Sequence, residues 1–60
     1  MIKKSKIMTV NGKMAVVIYE TEGFETPCEV RQILDKNGTQ IYLSIPDLIE
    51  LESELEEMEA

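Results

Sequence analysis

Apolar and β-branched residues fill most of the first 45 positions of this chain, and two Asn-Gly pairs interrupt them, at Asn11-Gly12 and Asn37-Gly38. Both central residues of a type I′ turn need a positive φ angle, which Asn and Gly tolerate better than other residues do. An Asn-Gly pair between two β-forming stretches therefore indicates a tight hairpin. The pattern predicts a hairpin over residues 4–20, a loop over residues 21–27 and a second hairpin over residues 28–45.

The register of the second hairpin follows from how each turn would sort the side chains. A two-residue turn sets Leu34 opposite Ile41 and gathers apolar residues on one face. A three-residue loop would set Leu34 opposite Gln40 and mix the faces. Because a slip of one residue moves every side chain of a strand to the other face, we prefer the two-residue turn. The same turn in the first hairpin places the following residues on one face: Ile7, Thr9, Met14, Val16 and Ile18.

A helix is predicted after the second hairpin, over residues 46–58. Ser44 is a suitable N-cap, and Asp47 stands at the capping-box position three residues later. Pro46 is acceptable in a first turn, where its missing N–H would have no intrahelical partner. A narrow apolar seam with helical spacing follows, formed by Leu48, Leu51, Leu55 and Met58.

These elements predict a single small domain of the α+β class. It comprises a four-stranded antiparallel sheet from two β-hairpins, followed by one acidic amphipathic helix on one face, in the order ββββα. Phe24, the only phenylalanine, is expected to close the open end of the core. The predicted core consists of Ile7, Met14, Val16, Ile18, Val30, Leu34, Ile41, Leu43, Ile45, Leu48, Leu51 and Leu55.

The other sheet face is also apolar, which is unusual for a sheet with one side in water. A 60-residue chain buries only about 60% of the surface that its unfolded form exposes, so its own core is marginal. We therefore expect a homodimer, or a partner, to cover this second face. The residues predicted for that interface are Met8, Val10, Val17, Tyr19 and Tyr42.

Charge is strongly segregated along the chain. The first 13 residues hold four lysines and no acid, the last 15 hold seven carboxylates and no base, and the net charge is −6. The pI near 4.4 disfavours direct binding to nucleic acid or to an anionic membrane, because phosphate contacts need clustered basic residues. A protein partner with a basic surface is expected instead.

The acidic helix supplies the predicted partner-binding residues, Glu50, Glu54 and Glu57. On one helix flank they follow each other at rises of roughly 4.5–6 Å, close to the spacing of phosphates along a strand. This row could act as a nucleic-acid mimic in a basic groove, or it could serve solubility and partner selectivity alone.

Catalytic, metal and cofactor sites are not expected. The chain has no histidine and one cysteine, Cys28, so it lacks a base to activate the thiol, a plausible zinc site and an internal disulfide. We interpret Cys28 as a small buried residue. The first lysines are not followed by the apolar stretch of a signal peptide before Asn11-Gly12, and the longest apolar run, Met14 to Tyr19, is too short to span a bilayer. With a lone cysteine, these features indicate the reducing cytoplasm.

The leading functional hypothesis is a non-enzymatic protein-interaction module. Its most specific form is a small acidic inhibitor or regulator, of the kind that phages or mobile elements encode, which binds a larger basic or nucleic-acid-binding protein through its helix. One alternative is a dimeric β-ribbon DNA-binding regulator that uses Lys3, Lys4, Lys6 and Lys13. Another is a small structural subunit of an assembly.

Overall fold

A computed structural model describes residues 2–22 and 27–59, apart from the side chain of residue 59. Within them, three antiparallel strands form one sheet in the order β1-β2-β3, and a helix, α1, covers one of its faces. Phe24 and most of the predicted loop lie outside the described residues. The elements are β1 (Ile2–Val10), β2 (Lys13–Thr21), β3 (Glu29–Leu34) and α1 (Ile45–Glu59).

The first predicted hairpin is confirmed, including its two-residue turn. Val10 pairs with Lys13, and the pairing continues without a shift to Ile2 and Thr21. Asn11 and Gly12 both adopt positive φ angles, 51° and 78°, as a type I′ turn requires. The Asn-Gly pair therefore sets the register of the whole β1–β2 ribbon.

The second predicted turn is wrong, because a three-residue loop replaces the two-residue turn. The carbonyl of Asp35 accepts the N–H of Gly38 at 3.0 Å, and the N–H of Asp35 donates to the carbonyl of Thr39 at 2.9 Å. Gly38 has a positive φ of 83°, whereas Asn37 does not. This is a type I turn followed by a glycine in the left-handed region, and it brings Leu34 opposite Gln40.

The side chain of Asp35 explains this choice of turn. Its Oδ1 accepts the backbone N–H of Asn37 at 2.8 Å and that of Thr39 at 2.9 Å. Asp at the first position and Gly at the fourth favour a type I turn. The segment from Asp35 to Gly38 carries that signature, which outweighs the Asn-Gly preference for type I′.

The predicted four-stranded sheet is also wrong, since the segment after this loop forms no fourth strand. A single bridge joins Leu34 and Gln40, and the N–H of Ile41 donates to the carbonyl of Ile33 at 2.7 Å. The chain then leaves the edge of β3, and residues 41–44 have no regular structure. Ile41 and Leu43 still pack against the core while the backbone crosses to the helix.

The predicted core face of the first hairpin is the wrong one. Ile7 is 68% exposed and Met14 is 70% exposed, while Val16 and Ile18 are half-buried. The helix covers the opposite face. The buried apolar core of the described residues consists of Met8, Val10, Ala15, Val17, Tyr19, Cys28, Ile33, Leu51 and Leu55.

An irregularity in β3 determines which of its residues reach the core. Ile18 pairs with Gln32 and Tyr19 pairs with Val30, so Arg31 is an extra residue without a partner in the register. Such a bulge shifts the alternation of faces by one residue. Val30 and Ile33 therefore lie on the same face despite their odd spacing. Leu34, which we had predicted to join Val30 in the core, lies on the other face.

The helix begins as predicted, with Ser44 at the N-cap. The carbonyl of Ser44 accepts the N–H of Leu48 at 2.9 Å, the first hydrogen bond of the helix. Leu51 and Leu55 are buried and Leu48 is half-buried. The apolar seam is shorter than predicted, because Met58 is exposed. Ile45, placed in the predicted core, is also exposed.

Adjacent valines on opposite faces of β2 provide a matched test of this core. We expect Val17→Ala to lower the free energy of unfolding by about 2–3 kcal/mol, from lost burial and a residual cavity. Val16→Ala removes the same atoms from a half-buried site, so its cost should be less than about 1 kcal/mol. Urea titration of both variants measures the difference. A larger loss for Val16→Ala would contradict the assignment of faces.

Candidate protein-binding surfaces

The predicted acidic row lies on the exposed side of α1. Glu50, Glu54 and Glu57 are all exposed, while Leu51 and Leu55, which face the sheet, are buried in the core. The packing of the two leucines holds the helix in place, so the three carboxylates project from a fixed scaffold. We refer to these three residues as the acidic row.

A fourth glutamate, Glu52, connects the helix to the sheet. Its Oε2 accepts the backbone N–H of Val30 at 3.0 Å. β3 is an edge strand, so this bond satisfies a backbone donor that the sheet leaves unpaired. The sequence pattern does not predict this role for Glu52. The available signal was its position, four residues after Leu48 and three before Leu55, at the border of the apolar seam.

A small recess lies between the first turn of the sheet and the start of the helix. It has a volume of about 130 Å³ and three carboxylates on its wall, from Asp47, Glu50 and Glu54. Across the part of the chain that the structure describes, no group of three or more acidic, cysteine or histidine side chains could hold a metal ion. Glu50 and Glu54 belong to the acidic row itself, so the recess adds the carboxylate of Asp47 to the negative surface of the row.

The predicted interface patch does not form one surface. Met8, Val10, Val17 and Tyr19 are buried under the helix of the same chain. Tyr42, the fifth member, is 82% exposed and lies in the irregular segment before the helix. The four buried residues thus belong to the core of the single chain, because the helix occupies the place that we had assigned to a partner.

The sheet face away from the helix is here called the outer face. The sequence pattern predicts that the helix covers this face, but in the structure it is uncovered. Strand pairing arranges its side chains in cross-strand rows. An apolar row crosses all three strands, a mixed row follows, and a charged row closes the end near the start of β1. The rows are Ile7–Val16–Leu34, Ser5–Ile18–Gln32 and Lys3–Glu20–Glu29, with Thr9–Met14 beyond the apolar row.

Arg31 organises the charged end of the outer face. Its Nε lies 2.6 Å from Oε1 of Glu20, and its Nη1 lies 3.2 Å from Oε1 of Glu29. The hydrogen bond with Glu20, helped by the charges of Glu20 and Glu29, raises the pKa of Arg31 above its ordinary value. The extra residue of the bulge therefore balances two carboxylates on the same side of the sheet.

The four N-terminal lysines are divided between the two faces. In the register of the ribbon, Lys4, Lys6 and Lys13 pair with Tyr19, Val17 and Val10, which the helix covers. Lys3 pairs with Glu20 on the outer face. Three of the four lysines therefore share the face that the helix covers, and the open face holds Lys3 alone of the four, so that face lacks the lysine cluster that a DNA-binding ribbon would present.

Cys28 lies in the core, as predicted from the sequence, and is a free thiol that is buried.

Comparison with protein-family models, with curated proteins and with solved structures found no match to this chain. Within the described residues, no helix has the length and apolar character needed to cross a membrane. The interpretation of function therefore depends on the surfaces themselves.

Glu52 offers a test of how the helix is held. Glu52→Ala leaves the N–H of Val30 without its acceptor, and we expect it to lower the free energy of unfolding by about 1–2 kcal/mol. Glu52→Gln keeps an acceptor oxygen and should recover at least half of that loss. Urea unfolding of both variants gives the two values. Equal stability of the alanine variant and the parent chain would show that this hydrogen bond does not hold the helix.

Proposed function

We propose that this protein is a non-enzymatic interaction module that binds a basic protein surface through the acidic row of α1. The observation that supports this most directly is the exposure of Glu50, Glu54 and Glu57 on a helix whose other side is fixed by two buried leucines. Preformed charge of one sign attracts a partner of the other sign and speeds its association. Regulation or inhibition of the partner is the specific role that we assign.

Geometry supports a rigid rather than an adaptable contact. The helix is attached to the sheet by Leu51, Leu55 and the bond from Glu52 to Val30. A partner therefore does not have to order the helix on binding, which removes one of the costs of association. The recess beside Asp47 extends the negative surface toward the turn at Asn11. In one version of this proposal the acidic row mimics phosphates and occupies a groove of the partner that otherwise holds nucleic acid.

The cellular setting belongs to the same proposal. A single cysteine that is buried and unpaired suits the reducing cytoplasm. DNA binding by the lysine-bearing strands is less well supported, because three of the four lysines lie on the sheet face that the helix covers.

The acidic row can be tested with a labelled deca-arginine peptide as the basic probe. We expect the triple change of Glu50, Glu54 and Glu57 to Gln to weaken binding about tenfold at low salt, because the three carboxylates attract the peptide together. The effect should shrink as salt screens the charges. Fluorescence anisotropy over a range of NaCl concentrations measures both quantities.

A matched control separates the row from net charge. Changing Glu20, Glu22 and Glu29 to Gln removes the same three charges from outside the helix. This control should weaken binding less than about threefold, since those carboxylates lie away from the row. Equal losses for the two triple variants would mean that overall charge alone attracts the peptide, and would overturn the proposal.

A further inference from the structure

The outer face of the sheet is an apolar surface that the helix leaves uncovered. Ile7 and Met14 are 68% and 70% exposed, and Val16, Ile18 and Leu34 between and beside them are only half-buried. Antiparallel sheets with one face in water normally carry polar residues on that face. A continuous apolar surface of this kind marks a place of association.

Charge on the outer face is balanced, in contrast to the rest of the chain. Among the strand residues of this face, Lys3 and Arg31 offset Glu20 and Glu29, giving two positive and two negative groups. The whole chain carries a net charge of −6. Two copies of such a chain repel each other over most of their surfaces. The neutral outer face is where they approach with the least repulsion.

The size of the outer face suits a weak dimer. Strands of nine residues at about 3.3 Å per residue, and three strands at about 4.8 Å spacing, give a footprint of roughly 400 Å². Two such faces in contact bury roughly 800–1,200 Å² in total once side-chain relief is counted, which is the lower end of specific interfaces. Weak and transient encounters are typical of this end.

Exposed side chains stand out from the outer face, and a cleft adjoins one end of it. Ile7 and Met14 stand out from the sheet. A cleft of about 460 Å³ adjoins Met14, between the start of β2 and the loop that begins at Asp35. The cleft forms because the β2–β3 pairing ends at Val16 and Leu34. A two-fold interface uses the same patch on both copies, and the exposed side chains of Ile7 and Met14 lie on this patch.

We propose that two copies of this chain associate through their outer faces, with the apolar row of Ile7, Val16 and Leu34 at the centre of the contact. The two sheets then pack face to face between two outer helices. Each acidic row remains exposed, on opposite sides of the dimer. This interface differs from the predicted patch, because the four apolar residues of that patch under the helix are buried in the core of the single chain.

Two methionines permit a matched test of the proposed dimer. Met14 lies on the outer face and Met58 lies on the helix, and both are exposed. Sedimentation velocity of the whole chain, from about 5 µM to about 500 µM, should show a transition from monomer to dimer in the concentration range typical of weak interfaces. Met14→Glu should raise the dissociation constant at least tenfold, whereas Met58→Glu should change it less than twofold.

A milder variant guards against loss of folding, which far-UV circular dichroism reports. Ile7→Thr keeps a β-forming residue and should weaken the dimer several-fold. Three results would overturn the proposal: a parent chain that stays monomeric over the whole range, equal effects of the two glutamate variants, or a dimer that neither Met14→Glu nor Ile7→Thr weakens. The last result would indicate association elsewhere, such as along the free edge of β1.

Discussion

Burial of Leu51 and Leu55 against one face of the β1–β2 ribbon is the contact on which this fold depends. The two leucines are 6% and 0% exposed, and they share a cluster with Val17 and Tyr19. Full burial of a leucine stabilises by roughly 1.5–3 kcal/mol, a large share of the stability of so short a chain. A helix with carboxylates at most of its other positions has little else to hold it in place. The exposed positions of the acidic row are a consequence of this contact.

Features that depend on local chemistry could be predicted from the sequence. A few neighbouring residues determine each of three features: the Asn11-Gly12 turn, the register of the first hairpin and the N-cap at Ser44. The acidic row is likewise determined by helical spacing once the leucines are known to face inward. These features do not require knowledge of what the rest of the chain does.

The covered face of the ribbon could not be predicted in the same way. Both faces of β2 are apolar, with Val16 and Ile18 on one and Val17 and Tyr19 on the other. Alternation alone therefore does not distinguish core from surface. The choice is made by the chain after β3, which brings the helix over one side. Lys4 and Lys6 at the end of the covered face also suggested that it was open, although both are half-buried.

The alternation of side chains after Gly38 predicts a fourth strand, but the turn chemistry at Asp35 favours a different register. Asp35 binds two backbone N–H groups of the loop, and this local preference sets a three-residue loop. The bulge at Arg31 has no signal in the alternation pattern, and the ion pairs of Arg31 with Glu20 and Glu29 depend on how the strands pair. Tertiary contacts of this kind become visible only when the strands are assembled.

The most direct test of the central claim is a set of proton–proton contacts measured by NMR on methyl-labelled protein. The account predicts nuclear Overhauser effects from the Leu51 and Leu55 methyl groups to Val17 and Tyr19, and none to Ile7 or Met14. Contacts from these leucines to Ile7 and Met14 instead would place the helix on the other side of the sheet and contradict the account.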